Sequence, residues 1–104
     1  MRIVDFATFV TLPAGTLYQE IDQYGSPISA LAIRHDVLFD GDRPFDFIYE
    51  EILYQTADGF LGDPPKLAEL GTKRWGLFDD ETLFIVYETQ DRARLAKIIL
   101  GDAA

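Results

Sequence analysis

The chain contains no cysteine. There is therefore no disulfide framework, no thiol nucleophile and no zinc knuckle. It has one histidine, His35, and two serines, Ser26 and Ser29. Neither serine lies in a nucleophile elbow. Asp36 follows His35, and strand neighbours point to opposite faces, so the two are poorly placed as a dyad. Cations are also scarce: nine Lys and Arg stand against 18 Asp and Glu, a formal net charge of -9. A chain of this sign does not bind nucleic acid by neutralising phosphates. An anionic membrane surface repels it for the same Coulombic reason. No apolar run approaches about 18 residues, so no transmembrane helix is expected. The start, Met1-Arg2-Ile3-Val4-Asp5, lacks the apolar stretch of a secretory signal. No glycine-rich phosphate loop occurs. These absences lead to the expectation of a reduced, cytoplasmic protein, a monomer or small homo-oligomer with no cofactor.

What is present is enough for one small core. The chain has 104 residues, 48 % of them hydrophobic and 13 % aromatic, and reads as a single domain over 1–104. Asp5 to Leu12 predicts a short helix, with Asp5 as its cap and Phe6, Phe9 and Val10 on one face. Pro13-Ala14-Gly15 ends it. Thr16 to Asp22 predicts a strand with Leu17, Gln19 and Ile21 on one face. Ile28 to Leu38 predicts a second, with Leu31, Ile33 and Val37 inward. Asp40-Gly41-Asp42-Arg43-Pro44 reads as a loop. Phe45 to Gln55 is the clearest strand, rich in aromatic and β-branched residues. Phe45, Phe47, Tyr49 and Leu53 share one face; Asp46, Ile48 and Glu50 share the other. Ala57 to Lys73 reads as loop, with a helical turn over Lys66 to Leu70. Leu83 to Tyr87 is continuously apolar and predicts a central strand covered on both faces. The last helix runs from a Thr89 cap, with Arg94 and Lys97 toward its C-terminus, an apolar stripe of Leu95, Ile98 and Ile99, and a stop at Gly101. The expected fold is α+β: a mostly antiparallel sheet of about four strands, with an N-terminal and a C-terminal helix packed on one face.

The negative charge is concentrated. Residues 36–63 hold eight acids (Asp36, Asp40, Asp42, Asp46, Glu50, Glu51, Asp58 and Asp63) and one base, Arg43. Residues 79–88 add Asp79, Asp80, Glu81 and Glu88 with no base. Together the two segments carry -11 and the rest of the chain +2. If they lie side by side they form an acidic surface that recruits a basic partner and speeds its encounter. The bland reading of the same count is a solvated face that aids solubility.

Motifs for chemistry are weak. Asp40, Asp42, Asp46 and Glu51 have calcium-loop spacing. That loop needs glycine at its sixth place and an oxygen ligand at its fifth, where Phe45 and Pro44 stand. Asp79-Asp80-Glu81 offers hard oxygens to magnesium, and three adjacent acids before a strand also read as a solvated turn. Asp46 and Glu50 project from one strand face, but nothing in the sequence buries either as an acid–base pair needs. Trp75, beside Lys73 and Arg74, is read as filling the edge of the core, with nucleotide stacking the rival reading.

Two stretches resemble a known group of proteins. Phe9-Val-Thr-Leu-Pro-Ala-Gly-Thr-Leu-Tyr18 resembles the start, and Gly76-Leu-Phe-Asp-Asp-Glu-Thr-Leu-Phe-Ile-Val-Tyr-Glu88 the end, of small acidic proteins from phage and prophage accessory regions. The match covers 23 of 104 residues. The resemblance implies a setting rather than a chemistry: such proteins often counter host defence, and some mimic DNA. The expected function is then a non-enzymatic, anti-CRISPR-like inhibitor in the cytoplasm of the host cell. It binds a basic host protein or nucleoprotein complex through Asp36, Asp40, Asp42, Asp46, Glu50, Glu51, Asp79, Asp80 and Glu81. The alternative is an oligomeric sponge for a cyclic-nucleotide signal, with a pocket built from Arg34, Arg43, Arg74 or Trp75. A magnesium-assisted hydrolase on Asp79-Asp80-Glu81 ranks last.

Overall fold

The computed structural model describes residues 1–54, 66–67, 72–79 and 81–101. Asp58, Asp63, Asp80 and residues 68–70 of the expected helical turn lie outside them. The chain forms an antiparallel sheet of six strands. The elements are β1 (Arg2–Asp5), α1 (Phe6–Phe9), β2 (Thr16–Ile21), β3 (Ala32–Asp40), β4 (Arg43–Glu51), β5 (Leu53–Tyr54), β6 (Lys66–Leu67), β7 (Thr72–Arg74), β8 (Leu83–Tyr87) and α2 (Thr89–Leu100). The sheet order is β1-β8-β2-β3-β4-β7, and β5 and β6 pair separately. Among the described residues no helix is long and apolar enough to cross a membrane.

One face of the sheet carries an aromatic core, and α1 covers it. Phe9 from α1, Phe47 from β4 and Phe84 from β8 are each 0 % exposed. The Phe9 ring stacks on Phe84 at 4.0 Å and meets Tyr18 and Phe47 edge-on at 4.8 and 5.2 Å. Burying such a ring is worth about 1.5–3 kcal/mol, and each aromatic pair adds about 0.5–1.5. Trp75 stacks on Phe47 at 4.9 Å and on Phe6 at 5.3 Å. Phe6 follows β1 and Trp75 follows β7, the two edge strands. Their stacking therefore requires the sheet to curl around the core.

Local chemistry explains α1. The Asp5 carboxylate accepts the Thr8 N–H at 2.8 Å and caps the helix, as its sequence position predicts. The helix is shorter than expected. Thr11 and Leu12 donate to the carbonyls three residues back rather than four, which tightens the last turn and ends it.

Several expectations need correction. The sheet has six strands rather than four, because Arg2–Asp5 pairs with β8 as an edge strand and Thr72–Arg74 pairs with β4. Lys66–Leu67 pairs with Leu53–Tyr54 instead of starting a helical turn. β3 begins at Ala32, not Ile28, because the Ser29 hydroxyl takes the Glu20 N–H that a ladder carbonyl would otherwise take. Its phase is reversed as well. Ala32 and Arg34 are buried at 2 %, while Leu31, Ile33 and Val37 are half-buried. In β2 Tyr18 faces the aromatic cluster, and Leu17 on the opposite face is buried as well. Asp40 to Pro44 is no loop: Asp40 pairs with Arg43 and closes a hairpin over Gly41-Asp42. Gly41, at φ 62°, supplies the positive φ that the first central residue of a II′ turn requires.

β8 matches its predicted bounds and is interior, between β1 and β2. It is buried on one face only, at Phe84 and Val86. In α2, Glu88 rather than Thr89 is the cap residue, and its N–H donates to Asp91 at 2.9 Å. The larger correction concerns packing: no residue of α2 is buried, and Ile98, Ile99 and Leu100 are exposed. The helix is tied down at its N-terminal end, where the Met1 ammonium meets Asp91 and Arg92 donates to the Gly15 carbonyl at 2.7 Å.

Candidate functional site: an acid-rimmed aromatic cleft

The hairpin of β3 and β4, the β1–α1 junction and Phe78 enclose a cleft of about 670 Å³. Phe39, Asp40, Arg43, Pro44 and Phe45 come from the hairpin. Asp5, Phe6 and Ala7 come from the junction. The Phe45 and Phe78 rings stack at 5.9 Å, which brings Asp79, the first residue of the second acidic segment, near the hairpin. The burial of Asp46 sets up that contact. Its Oδ1 accepts the N–H of Gly76 at 2.8 Å, which draws the chain before Phe78 along β4 toward the hairpin turn. Phe78 itself holds φ at 53°, in a region that bulky residues avoid.

The nine expected contact residues do not form one set. Asp40 lines the cleft, and Asp42 sits in the hairpin turn beside it. Asp79 follows Phe78, and its Oδ1 accepts the Glu81 N–H at 3.0 Å. Asp36 is exposed, at a break in the β3–β4 register away from the lining. Asp46 is fully buried at 0 % and cannot meet a partner. Glu50 lies 3.1 Å from His35 Nε2 across the strands. Glu51 is half-buried, 4.0 Å from Lys73 Nζ. Sequence reasoning missed Asp5, which adds a carboxylate to the lining. It also missed the exposed rings of Phe39 and Phe78, at 58 % and 61 %. The one available signal was an aromatic next to the acids at Phe39-Asp40 and Phe78-Asp79.

The electrostatics of this region are strongly one-signed. Asp5 and Asp40 line the cleft together with Arg43, and Asp42 and Asp79 adjoin its lining residues in the chain. The Thr8 N–H holds the Asp5 carboxyl below the usual carboxylate range, so it stays ionised. Burial pushes Asp46 up, but the N–H groups of Gly76 and Phe47 together with the Arg74 guanidinium outweigh it and hold its pKa below normal. Burial raises Glu20, whose carboxylate accepts the Trp75 indole N–H.

The residues expected for a nucleotide pocket do not converge. Trp75 is 8 % exposed and lies in the core, as the sequence reading had it. Arg34 is 2 % exposed; its guanidinium donates to the Leu12 and His35 carbonyls and sits 5.5 Å over the Phe9 ring. Arg74 pairs with Asp46 at 2.8 Å. Only Arg43 lines the cleft. A smaller groove of about 340 Å³ lies between Arg2, Gly15 and the first turn of α2. Its cations are engaged: Arg2 with Glu88 at 3.9 Å, Arg92 with the Gly15 carbonyl. Among the described residues no three His, Cys, Asp or Glu side chains converge as a metal site.

No protein-family model, curated protein or solved structure matches this chain.

Proposed function

We propose that the chain is a non-enzymatic inhibitor of a host defence complex, of the anti-CRISPR kind. It acts by binding a basic, nucleic-acid-handling protein through the surface around the cleft. The observation that supports the reading is the Phe45–Phe78 contact, which sets Asp79 beside the hairpin that carries Asp40 and Asp42. A surface that carries Asp5, Asp40, Asp42 and Asp79 around Arg43 is suited to occupy a groove evolved for phosphates. The contacts are Asp40, Asp42, Asp79 and Glu81, with Asp36 and Glu50 peripheral; Asp80 is their neighbour in the sequence. Asp46 and Glu51 serve the fold instead. Exposed aromatics among the acids add desolvation energy that charge alone does not supply.

The test is a plating assay. Cells with an active nucleic-acid-guided defence system express the chain and are challenged with the phage that the system targets. Plating is expected to rise with the wild-type chain. It is expected to fall back with the combined Asp40→Lys, Asp42→Lys, Asp79→Lys and Glu81→Lys variant. Full protection by that variant would overturn the reading.

A further inference from the structure

We infer that the cleft is a docking site for a basic peptide segment of the partner that carries one large apolar anchor residue. The inference rests on the proposed binding role and names the chemistry of its contact. Phe39 and Phe78 stay more than half exposed although they border a concave space large enough for a side chain. Phe78 keeps its ring on this wall at the cost of a left-handed backbone, a strain of the kind that clusters at ligand clamps. The walls are therefore apolar and receptive to an aromatic or aliphatic side chain.

The rim selects what flanks that side chain. Asp5 and Asp40 line the cleft, and Asp42 and Asp79 adjoin its lining residues in the chain. Arg43 stands opposite Asp40 in the ladder and offsets one of them. The remaining negative field favours Lys or Arg on both sides of the anchor and repels a phosphate or an acidic peptide.

The probe is a pair of fluorescein-labelled peptides, Gly-Lys-Arg-Trp-Arg-Lys-Gly and the same peptide with Ser in place of Trp. Anisotropy titrations use the full chain at low and high salt. The Trp peptide is expected to bind at least about tenfold tighter than the Ser peptide. Salt is expected to weaken both and to leave their ratio standing. Phe78→Gly removes the ring and suits the positive φ, so the variant folds; it and Phe39→Ser are expected to abolish the ratio.

Equal affinity of the two peptides for the wild-type chain would overturn the inference. If both still bind in a salt-sensitive way, the acidic surface and the proposed function survive without the anchor site. A chain that dimerises in sedimentation and gains peptide binding only on Ile98→Asp would also overturn it, since the occupant is then α2 of a second copy. Loss of the phage phenotype with the peptide ratio intact would instead count against the proposed function alone.

Discussion

Phe45 and Phe78 stack with ring centroids 5.9 Å apart, although they lie 33 positions apart in the sequence. The contact ties the turn end of the β3–β4 hairpin to the segment that precedes β8. Asp40 thereby lines one aromatic cleft, with Asp42 and Asp79 beside its lining residues in the chain. The support beneath it is Asp46, which holds the Phe47 N–H, the Gly76 N–H and the Arg74 guanidinium at once.

That buried carboxylate gives the first prediction. Asp46→Ala is expected to lower stability by about 1–3 kcal/mol in urea titrations, since it leaves the buried Phe47 N–H without its acceptor and removes the bonds to Gly76 and Arg74. The folded-state pKa of Asp46 is depressed. Its contribution is therefore complete above the unfolded value of about 3.9 and is lost as pH falls through the lower folded value. The gap between wild type and Asp46→Ala is expected to shrink below about pH 4.

Glu20 has the opposite sign. Its pKa is raised by burial, so the ionised form is the penalised one. Its favourable share is present below about pH 4.3, the unfolded value, and is lost as pH rises through the folded value. Glu20→Gln keeps an acceptor for the Trp75 indole and has no charge to desolvate. Thermal melts are expected to show the variant above wild type at pH 7, by up to about 4 °C. The two curves are expected to converge toward pH 4.

The stripe of α2 tests the packing. Ile98 and Ile99 are 66 % and 77 % exposed, so they contribute little to the sheet. The double substitution Ile98→Asp, Ile99→Asp is expected to shift stability by less than about 1 kcal/mol. Phe9→Ala, at the centre of the aromatic cluster, is expected to cost about 3–5. Urea titrations of both variants measure the contrast.

Parts of this fold were legible in the sequence and parts were not. Leu83–Tyr87 was readable because five apolar β-formers in a row leave no other element. Phe47 and Tyr49 were readable from alternation, and Asp5 from capping chemistry. β1 was not, since four residues carry no period and its pairing with β8 is long-range. Arg34 inverted the phase of β3 because a cation reads as solvent-facing, whereas backbone carbonyls and the Phe9 ring receive it here. Leu95, Ile98 and Ile99 read as a core stripe because helical spacing does not say what the stripe meets. The acidic segments were visible as charge counts. The cleft between them was not, because aromatics such as Phe39 and Phe78 read as core by default.

The proposed role puts partner binding at the acid-rimmed aromatic cleft. Its most direct test is amide chemical-shift mapping of the isotopically labelled chain during titration with the Trp-containing basic peptide. The account predicts shifts at Ala7, at Phe39 to Arg43, at Phe45 and at Phe78 and Asp79. Shifts confined to α2, or to the groove beside Arg2 and Gly15, would contradict it.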